Sequence, residues 1–526
     1  MLRMTALQKQ KTGKSIRVNV VINLVRTLTM TILSFITFPY VTRALGDQIF
    51  GLYTWANTFV YYFLVLARIS IPNIAIRECA KVRNDKEALS HKAQEFFLIQ
   101  AVTTLLSFAL MASLCFTVPS LRENNGLIFL LSINFLLGLF SFEWIYIALE
   151  KHVYITIRSI SLIALSAILT YTFIHKTSSP GNAMNEVYIY ALITILPTIL
   201  TSAINFIFLR RHISFKKTRP YDFKPLIRPL VSLFFISLFV TAYNQTDSFL
   251  LGFMDQSKAA VGSYSVGVKG IDIVITLITS LYTVFMPRAS KYYEWENKIH
   301  YRRLIDYGFH ITFVIAIPAV MTMAIMSRPI VGLVAGTNAN QYQNAGMVLT
   351  ILASMMLTFS LCDDIYTQIL IPQKKEKHYM YAMSLGVVLN IGLSLLFGYV
   401  VFKDTPIIGV ATATMIADVI VLAVLVFMAK GDAIHAIFNL DNLKVVLAGI
   451  IIGAISYFLY PALFNAFPWK DAARDLWVSY LLALLIVVSI DAIVYVGLLF
   501  LSRESITRYF IGRKGGTDAE SELEGE

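Results

Sequence analysis

The chain has 526 residues, of which 57% are hydrophobic and only 14% are charged, and its formal net charge is +12 at pH 7. Water-soluble domains carry about 25% charged residues, so this composition excludes a soluble globular protein. It predicts an all-α integral membrane protein that crosses the bilayer many times. Basic cytoplasmic loops account for a positive charge in such proteins, so we expect no nucleic-acid partner.

About fourteen segments are apolar over the roughly 20 residues that a helix needs to cross the hydrocarbon core. They are predicted at roughly 17–43, 50–70, 95–117, 127–149, 157–175, 187–209, 230–252, 262–286, 308–327, 346–370, 381–402, 407–428, 444–464 and 476–501. The first run is long, contains Arg26 and lacks a small-residue cleavage site. We therefore interpret it as a retained helix and not as a signal peptide.

Lysine and arginine are distributed unequally between the two predicted sides of the membrane. About 33 of the 44 basic residues lie on the side of the amino terminus, and about 8 lie on the opposite side. An even number of crossings places both termini on one side. The positive-inside rule then predicts that both termini are cytoplasmic.

The connecting segments are short on the predicted outer side, where the longest is 328–345. On the cytoplasmic side, segment 71–93 alternates apolar and charged residues and predicts an amphipathic helix in the membrane interface. Segment 503–526 is rich in glycine and acidic residues, so we expect a disordered cytoplasmic tail.

A weak internal repeat links the first and seventh spans. The first span ends with Leu-Gly46 and continues into Phe-Gly51-Leu-Tyr, and the seventh ends with Leu-Gly252 and continues into Val-Gly262-Ser-Tyr. Chance similarity is the alternative explanation. The repeat predicts two six-helix halves related by a pseudo-two-fold axis, with two further helices appended. The predicted boundaries are 1–210, 211–430, 431–502 and the tail 503–526.

Polar side chains recur at steps of three and four residues along three predicted spans, so each set shares a helical face. The sets are Asn19, Asn23, Arg26, Thr27, Ser34 and Thr37 in the first span, Thr241, Asn244 and Ser248 beside Asp247 in the seventh, and Ser265, Lys269, Asp272, Thr276, Thr279 and Thr283 in the eighth. An ionised group at bilayer depth costs roughly 2.5–3.5 kcal/mol. We therefore expect these faces to line a polar cavity between the halves.

Two interpretations of the charged residues stay open. Lys269 lies three residues from Asp272 and at the depth of Asp247, so these three residues could form structural ion pairs. Arg26 has no acid within a helical turn, which favours a position in the cavity. Arg68, near the end of its span, either lines the cavity or extends to the interface.

A cationic cavity suits an anionic cargo, because arginine presents a planar fork to phosphate oxygens and lysine presents a point charge. The residues predicted to bind substrate are Arg26, Lys269, Arg68, Asn23 and Asn244. The acids predicted to pair with charges or to couple ions are Asp247, Asp272 and Asp418. Asp363, Asp364 and Asp491 are further candidate cation or proton sites.

The sequence lacks the motifs of several other protein classes. It contains no Gly-x4-Gly-Lys-Ser/Thr loop, so no ATPase activity or ATPase subunit is expected. No His, Cys or carboxylate cluster has metal-ligand spacing, so we expect no metal, no cofactor and no catalytic residue. The pair Asp363-Asp364 would suit a lipid-dependent glycosyltransferase only beside a sizeable outer domain, and the predicted outer loops leave no room for one.

Several short motifs along the chain are typical of one transporter family. They begin with the segment TFPYVTRALG at 37–46, followed by Gly51. The others are Ile76-Arg77-Glu78, Glu143-Trp144 with Glu150, Ile157-Arg158, Tyr243, Asp247, Leu251-Gly252, Gly262, Tyr264, Lys269, Pro287-Arg288 and QILIP at 368–372. On these motifs the chain resembles the Wzx-type oligosaccharide flippases of the MATE/MVF/PST transporter superfamily over roughly residues 15–430, and TFPYVTRALG resembles the opening signature of that family. Arg68 departs from the family pattern, in which a small residue is expected at this position.

The resemblance implies a flippase that moves undecaprenyl-pyrophosphate-linked oligosaccharides across a bacterial inner membrane by alternating access. The implied partners are the lipid-linked oligosaccharide, membrane lipids, and a polymerase and glycosyltransferases of the same pathway. A MATE-like drug or cation antiporter and a lipid II flippase are the alternatives, and a membrane glycosyltransferase or polymerase is a more distant one. The resemblance does not identify the glycan.

Overall fold

The computed structural model describes residues 2–175, 180–217, 219–295, 297–336, 342, 344–466 and 473–504. Within those ranges the chain is helical and contains no β-strand. In the described part of the chain, thirteen helical segments are long and apolar enough to cross a membrane, and the first of them, Val25–Lys81, has 57 residues. A helix rises about 1.5 Å per residue, so this first segment is long enough for two crossings.

The chain divides into two compact units, Met1–Gly262 and Ser263–Glu526. The helices that lie within the first unit are α1 Leu2–Arg68, α2 Ile71–Lys81, α3 Lys86–Thr117, α4 Pro119–Glu123, α5 Asn125–Gly138, α6 Glu143–Ala148, α7 His152–Phe173, α8 Pro180–Leu209 and α9 Lys224–Met254.

The next helix, α10 Ala259–Glu294, begins in the first unit and continues into the second. The remaining helices are α11 Lys298–Ile325, α12 Ser327–Ala335, α13 Ala345–Leu352, α14 Met355–Asp364, α15 Glu376–Leu396, α16 Pro406–Ala429, α17 Gly431–Ile437, α18 Leu440–Ala466 and α19 Ala473–Ser502. Two π-helical segments, Ile365–Leu370 and Phe397–Val401, follow α14 and α15.

The predicted spans correspond closely to these helices. The first two spans are the two parts of α1, which is broken at Gly46, where φ is 74° and ψ is 175°. Only glycine adopts such angles without strain, so Gly46 marks the turn between two crossings. The fourth span is divided between α5 and α6, a break that the apolar pattern does not predict.

The predicted interfacial helix at 71–93 is only partly correct. Helix α2 ends at Lys81 with Ile74 and Cys79 buried, as its amphipathic pattern predicts. A new helix begins at Lys86 because the Asp85 side chain accepts hydrogen bonds from the amides of Glu87 and Ala88, at 2.9 and 3.1 Å. This N-cap starts α3 nine residues before the predicted span at 95.

The compact units differ in extent from the predicted halves. Helix α9, the seventh predicted span, packs against α1 and belongs to the first unit. Its Gly252 lies against Trp55, where a Cβ atom would come within 2.0 Å of the indole ring. The boundary predicted at 210/211 and the two-fold relation remain predictions, and the acidic tail beyond residue 504 lies outside the described residues.

Two glycines at equivalent positions of the sequence repeat allow a close backbone contact within the first unit. A Cβ atom on Gly51 would lie 1.9 Å from the Lys258 carbonyl oxygen, and one on Gly262 would lie 2.1 Å from the Asp47 carbonyl oxygen. Beside this contact the Lys258 ammonium donates to the Gly252 carbonyl and lies 4.4 Å from the centroid of the Trp55 ring. The segment before α10 is therefore fixed against the turn of α1.

Replacement of Gly51 by alanine tests this contact. We expect Gly51→Ala to reduce the free energy of unfolding by about 1–3 kcal/mol, because the methyl group must displace backbone atoms. The control is Gly138→Ala, whose Cβ meets no atom within 4 Å and which should be neutral or stabilising. The melting temperatures of both variants in detergent provide the measurement, and equal values would contradict the expectation.

Candidate functional site

The break between α5 and α6 is stabilised by side chains of α8. Ser202 Oγ donates to the Leu137 carbonyl at 2.7 Å, and Asn205 Nδ2 donates to the Ser141 carbonyl. At bilayer depth no water is available for such carbonyls, so these side chains make an interruption of the helix tolerable. Trp144 then packs in a buried apolar core with Phe96, which fixes the start of α6.

Glu143, the first residue of α6, contacts two arginines from other helices. Its Oε1 lies 3.4 Å from Arg26 Nη1, and its Oε2 lies 3.3 Å from Arg158 Nη2. Good charge-assisted hydrogen bonds measure about 2.7–2.9 Å, so both contacts are long. The Glu143 carboxylate thus contacts two guanidinium groups and forms a close bidentate salt bridge with neither.

Asn205 holds Arg158 in place from the opposite side. Its Oδ1 accepts hydrogen bonds from Arg158 Nη1 and from the Tyr154 hydroxyl. The Arg158 side chain is only 4% exposed, and its Nε has no hydrogen-bond partner among the described residues. A buried unsatisfied donor is costly, so a rearrangement that brought an acceptor to this Nε would be favourable.

Two more predicted substrate residues lie at this site. Asn23 Oδ1 accepts a hydrogen bond of 2.8 Å from Arg26 Nη2. Arg68, exposed at the end of α1, interacts electrostatically with Glu143. We call Arg26, Arg68 and Arg158 around Glu143 the arginine cluster. Its charges sum to a local excess of positive charge, which suits an anion better than a cation.

The seventh predicted span is helix α9, and its polar residues lie on a helix that packs against α1. Asp247 is buried, and its neighbour Thr246 lies 3.4 Å from the Tyr62 hydroxyl. Gln245 Oε1 accepts from Thr58 at 3.3 Å. Asn244 is exposed on the same helix, and no described contact connects it to the arginine cluster. The role predicted for Asn244 therefore stays a prediction.

The other predicted charges belong to the second unit. Lys269 is partly exposed and Asp272 is exposed on α10, and neither forms a salt bridge with a residue whose side chain is described. Asp418 is buried on α16, where Thr358 Oγ1 lies 3.5 Å from its Oδ2. The placement of Lys269 opposite Arg26 remains a prediction. The stripe residues Asn19 and Thr283 have side chains outside the described part of the chain.

The three remaining acids each have a side-chain partner within the second unit. The Tyr379 hydroxyl donates to Asp363 at 3.3 Å, Gln368 donates to Asp364, and Ser456 donates to Asp491. Among the residues that the structure describes, no group of three or more His, Cys, Asp or Glu side chains is arranged to hold a metal ion.

Reasoning from the sequence missed Glu143, Arg158 and Asn205 as site residues. Arg26 has no acid within a helical turn, but Glu143 lies 117 positions away in sequence. Glu143 and Arg158 both occur in the motifs that carry the family resemblance, which was the available signal. Asn205 lies in a featureless apolar run, and only the packing of α8 against the α5–α6 break reveals its role.

Two family models match the chain. The model described as polysaccharide biosynthesis protein matches residues 16–293, and the MatE model matches residues 232–396. No curated protein matches.

Solved structures of membrane transporters have a similar fold. An inward-facing multidrug resistance MATE family transporter aligns with a TM-score of 0.58 and 14% identity, covering 77% of this chain and 98% of that one. The MATE multidrug transporter DinF-BH aligns with a TM-score of 0.52 and 15% identity, covering 79% of this chain and 94% of that one. The lipid II flippase MurJ, in an inward closed conformation, aligns with a TM-score of 0.49 and 18% identity, covering 95% of this chain and 99% of that one.

The fold and the family models define a multi-pass membrane transporter of the superfamily that contains the MATE exporters and the lipid flippases. These families consist of transporters and flippases and not of enzymes. Within this class the chain belongs to the polysaccharide biosynthesis protein family, whose model covers more than half of its length.

A double-mutant cycle tests whether Glu143 stabilises Arg158. Removal of either partner by Glu143→Gln or Arg158→Gln should lower the melting temperature. The double variant should lose less stability than the two single variants lose together. We expect a coupling of about 1–2 kcal/mol, because Arg158 is buried whereas Glu143 is 35% exposed.

The control cycle uses the more exposed pair Arg83 and Glu150, whose side chains are 37% and 46% exposed. Its coupling should not exceed about 0.5 kcal/mol. Additive effects at Glu143 and Arg158 would show that their contact does not stabilise the fold.

Proposed function

We propose that this protein is a flippase for undecaprenyl-pyrophosphate-linked oligosaccharide repeat units, which it moves from the cytoplasmic to the outer leaflet of a bacterial inner membrane. The observation that carries the proposal is the arginine cluster, in which two guanidinium groups share the single carboxylate of Glu143. A diphosphate supplies several anionic oxygens, which match guanidinium donors in both charge and geometry. Membership of the polysaccharide biosynthesis family supports a lipid-linked glycan as the cargo.

In this proposal the Glu143 carboxylate is the anion that contacts Arg26 and Arg158 when no cargo is bound. The carboxylate keeps Arg26 and Arg158 oriented, and its long contacts leave both guanidinium groups able to bind a more highly charged anion. Arg158 Nε offers an additional donor that no described residue satisfies. The pyrophosphate binds here while the lipid tail stays in the bilayer, and Lys269 is a further predicted substrate-binding residue of the alternating-access cycle.

The energy source in this proposal is an ion gradient, the membrane potential or consumption of the cargo outside. A potential of 100 mV contributes about 2.3 kcal/mol per charge moved, so it biases transport of a charged carrier. Both termini are cytoplasmic in this scheme, which places the arginine cluster near the cytoplasmic end of the first unit.

A MATE-like antiporter of cationic drugs is the second candidate function. It is favoured by the MatE match over residues 232–396 and by the fold shared with multidrug transporters. The excess positive charge of the arginine cluster opposes it, because a cationic drug would be repelled there.

Complementation of a flippase-deficient polysaccharide strain tests the proposal. The unmodified protein should restore surface polysaccharide, and Arg26→Ala or Lys269→Ala should each reduce it at least about ten-fold, the usual effect of losing a charged hydrogen-bond donor. The matched control is Lys444→Ala, which removes a lysine that pairs locally with Asp441 at 2.8 Å on α18. Membrane levels of all variants should be equal.

The results separate the two candidate functions. Full complementation by both Arg26→Ala and Lys269→Ala would refute the cationic site. Failure of the unmodified protein to complement, together with increased resistance to cationic drugs, would support the antiporter instead.

A further inference from the structure

The connection between α8 and α9, described over 210–217 and 219–223, is anchored to the start of α3. Gln94 Nε2 donates to the carbonyls of Ser214 and Lys216 at 2.8 and 3.2 Å, and its Oε1 accepts from the Tyr221 hydroxyl at 2.9 Å. Glu95 Oε1 accepts from the Asp222 amide at 2.8 Å. Gln94 and Glu95 are both buried, so these contacts are protected from water and hold the connection in place.

A lysine contacts one histidine at this end of the first unit, and two further cations lie near enough to act on its charge. Lys151 Nζ lies 2.8 Å from His212 Nε2, so the imidazole is the acceptor and is neutral. Burial, and then the charges of Lys151, Lys86 and Arg211, lower the pKa of His212. Lys86, Lys151, Arg211 and His212 are called the His212 cluster below.

The carboxylates closest in sequence to the His212 cluster bind groups outside it, and Asp85 accepts hydrogen bonds from the amides of Glu87 and Ala88. Glu150 contacts Arg83, and Glu87 lies 3.7 Å from Arg219. None of the three cations of the cluster forms an ion pair with a residue that the structure describes. The three cations are exposed and are not neutralised by a direct ion pair with a described residue, so their charge can attract an anion from outside the chain.

The His212 cluster lies where three predicted membrane crossings end. Lys86 opens α3, Lys151 immediately precedes α7, and Arg211 lies two residues beyond the end of α8. Arg211 lies 5.0 Å from the ring centroid of Phe208, which is 37% exposed, and Phe215 nearby is 48% exposed. Exposed aromatic rings beside cations at helix ends are typical of the headgroup region of a bilayer.

We propose that the His212 cluster binds the phosphate of an anionic phospholipid headgroup in the adjoining leaflet. Three cations from separate parts of the fold converge there, and the anchored connection presents one of them, Arg211, at the depth of lipid phosphates. This site is separate from the arginine cluster, and its occupant is a resident lipid that is not transported. Bound lipid would link the ends of α3, α7 and α8.

The test uses the purified full-length protein in zwitterionic phosphatidylcholine micelles, with phosphatidylglycerol added in steps. The melting temperature should rise and then saturate for the unmodified protein. The variant Lys151→Gln/Arg211→Gln should need at least about ten-fold more phosphatidylglycerol for the same rise, because each cation near the surface contributes substantially to binding of anionic lipid. The charge-conserving variant Lys151→Arg/Arg211→Lys should respond like the unmodified protein.

The matched control is Arg303→Gln/Lys377→Gln, which removes one arginine and one lysine from exposed positions of the second unit. It should respond like the unmodified protein, and equal loss of response in both double variants would overturn the proposal. Glycerol phosphate at the same anion concentration should not raise the melting temperature. A rise as large as with lipid would identify a site for soluble anions instead.

Discussion

Within a bilayer, every backbone hydrogen-bond donor and acceptor must find its partner inside the protein, and this constraint governs the candidate functional site. The chain interrupts a crossing between α5 and α6 and satisfies the released carbonyls with Ser202 and Asn205 of α8. The interruption places Glu143 at the start of a new helix, beside Arg26 and Arg158. The charged site thus depends on side chains that satisfy the backbone carbonyls at the break. Asn205 donates to one of these carbonyls and also accepts a hydrogen bond from Arg158.

Positive charge is arranged differently in the arginine cluster and in the His212 cluster. In the arginine cluster a carboxylate holds two guanidinium groups at distances that are too long for strong pairing. Near the His212 cluster, Glu150 and Glu87 contact arginines outside the cluster, and Lys151 donates to a neutral imidazole. In our proposals both clusters bind an anion from outside the chain. The arginine cluster binds a transported anion, and the His212 cluster binds a resident anion at the membrane surface.

The fold alone does not distinguish the cargo. Multidrug transporters of the MATE family share this helical architecture, and both the MatE model and the polysaccharide biosynthesis model match parts of the chain. In our proposal the sign of the charge at the candidate site separates the two candidate cargoes, because a surplus of guanidinium groups repels cationic drugs and attracts phosphates. In this proposal Glu143 positions the two arginines that it contacts, and its single negative charge does not cancel theirs.

The sequence by itself determined the all-helical membrane class, the approximate position of each crossing and Arg26 as a residue on a polar face. These features follow from apolar run length and helical period, which are local properties of the chain. Only the tertiary structure decided that Asp85 starts α3 early, that α9 packs with the first unit and that Arg26 shares Glu143 with Arg158. Those features depend on contacts between residues as many as 117 positions apart, and no periodic pattern in a single sequence encodes which distant helices meet.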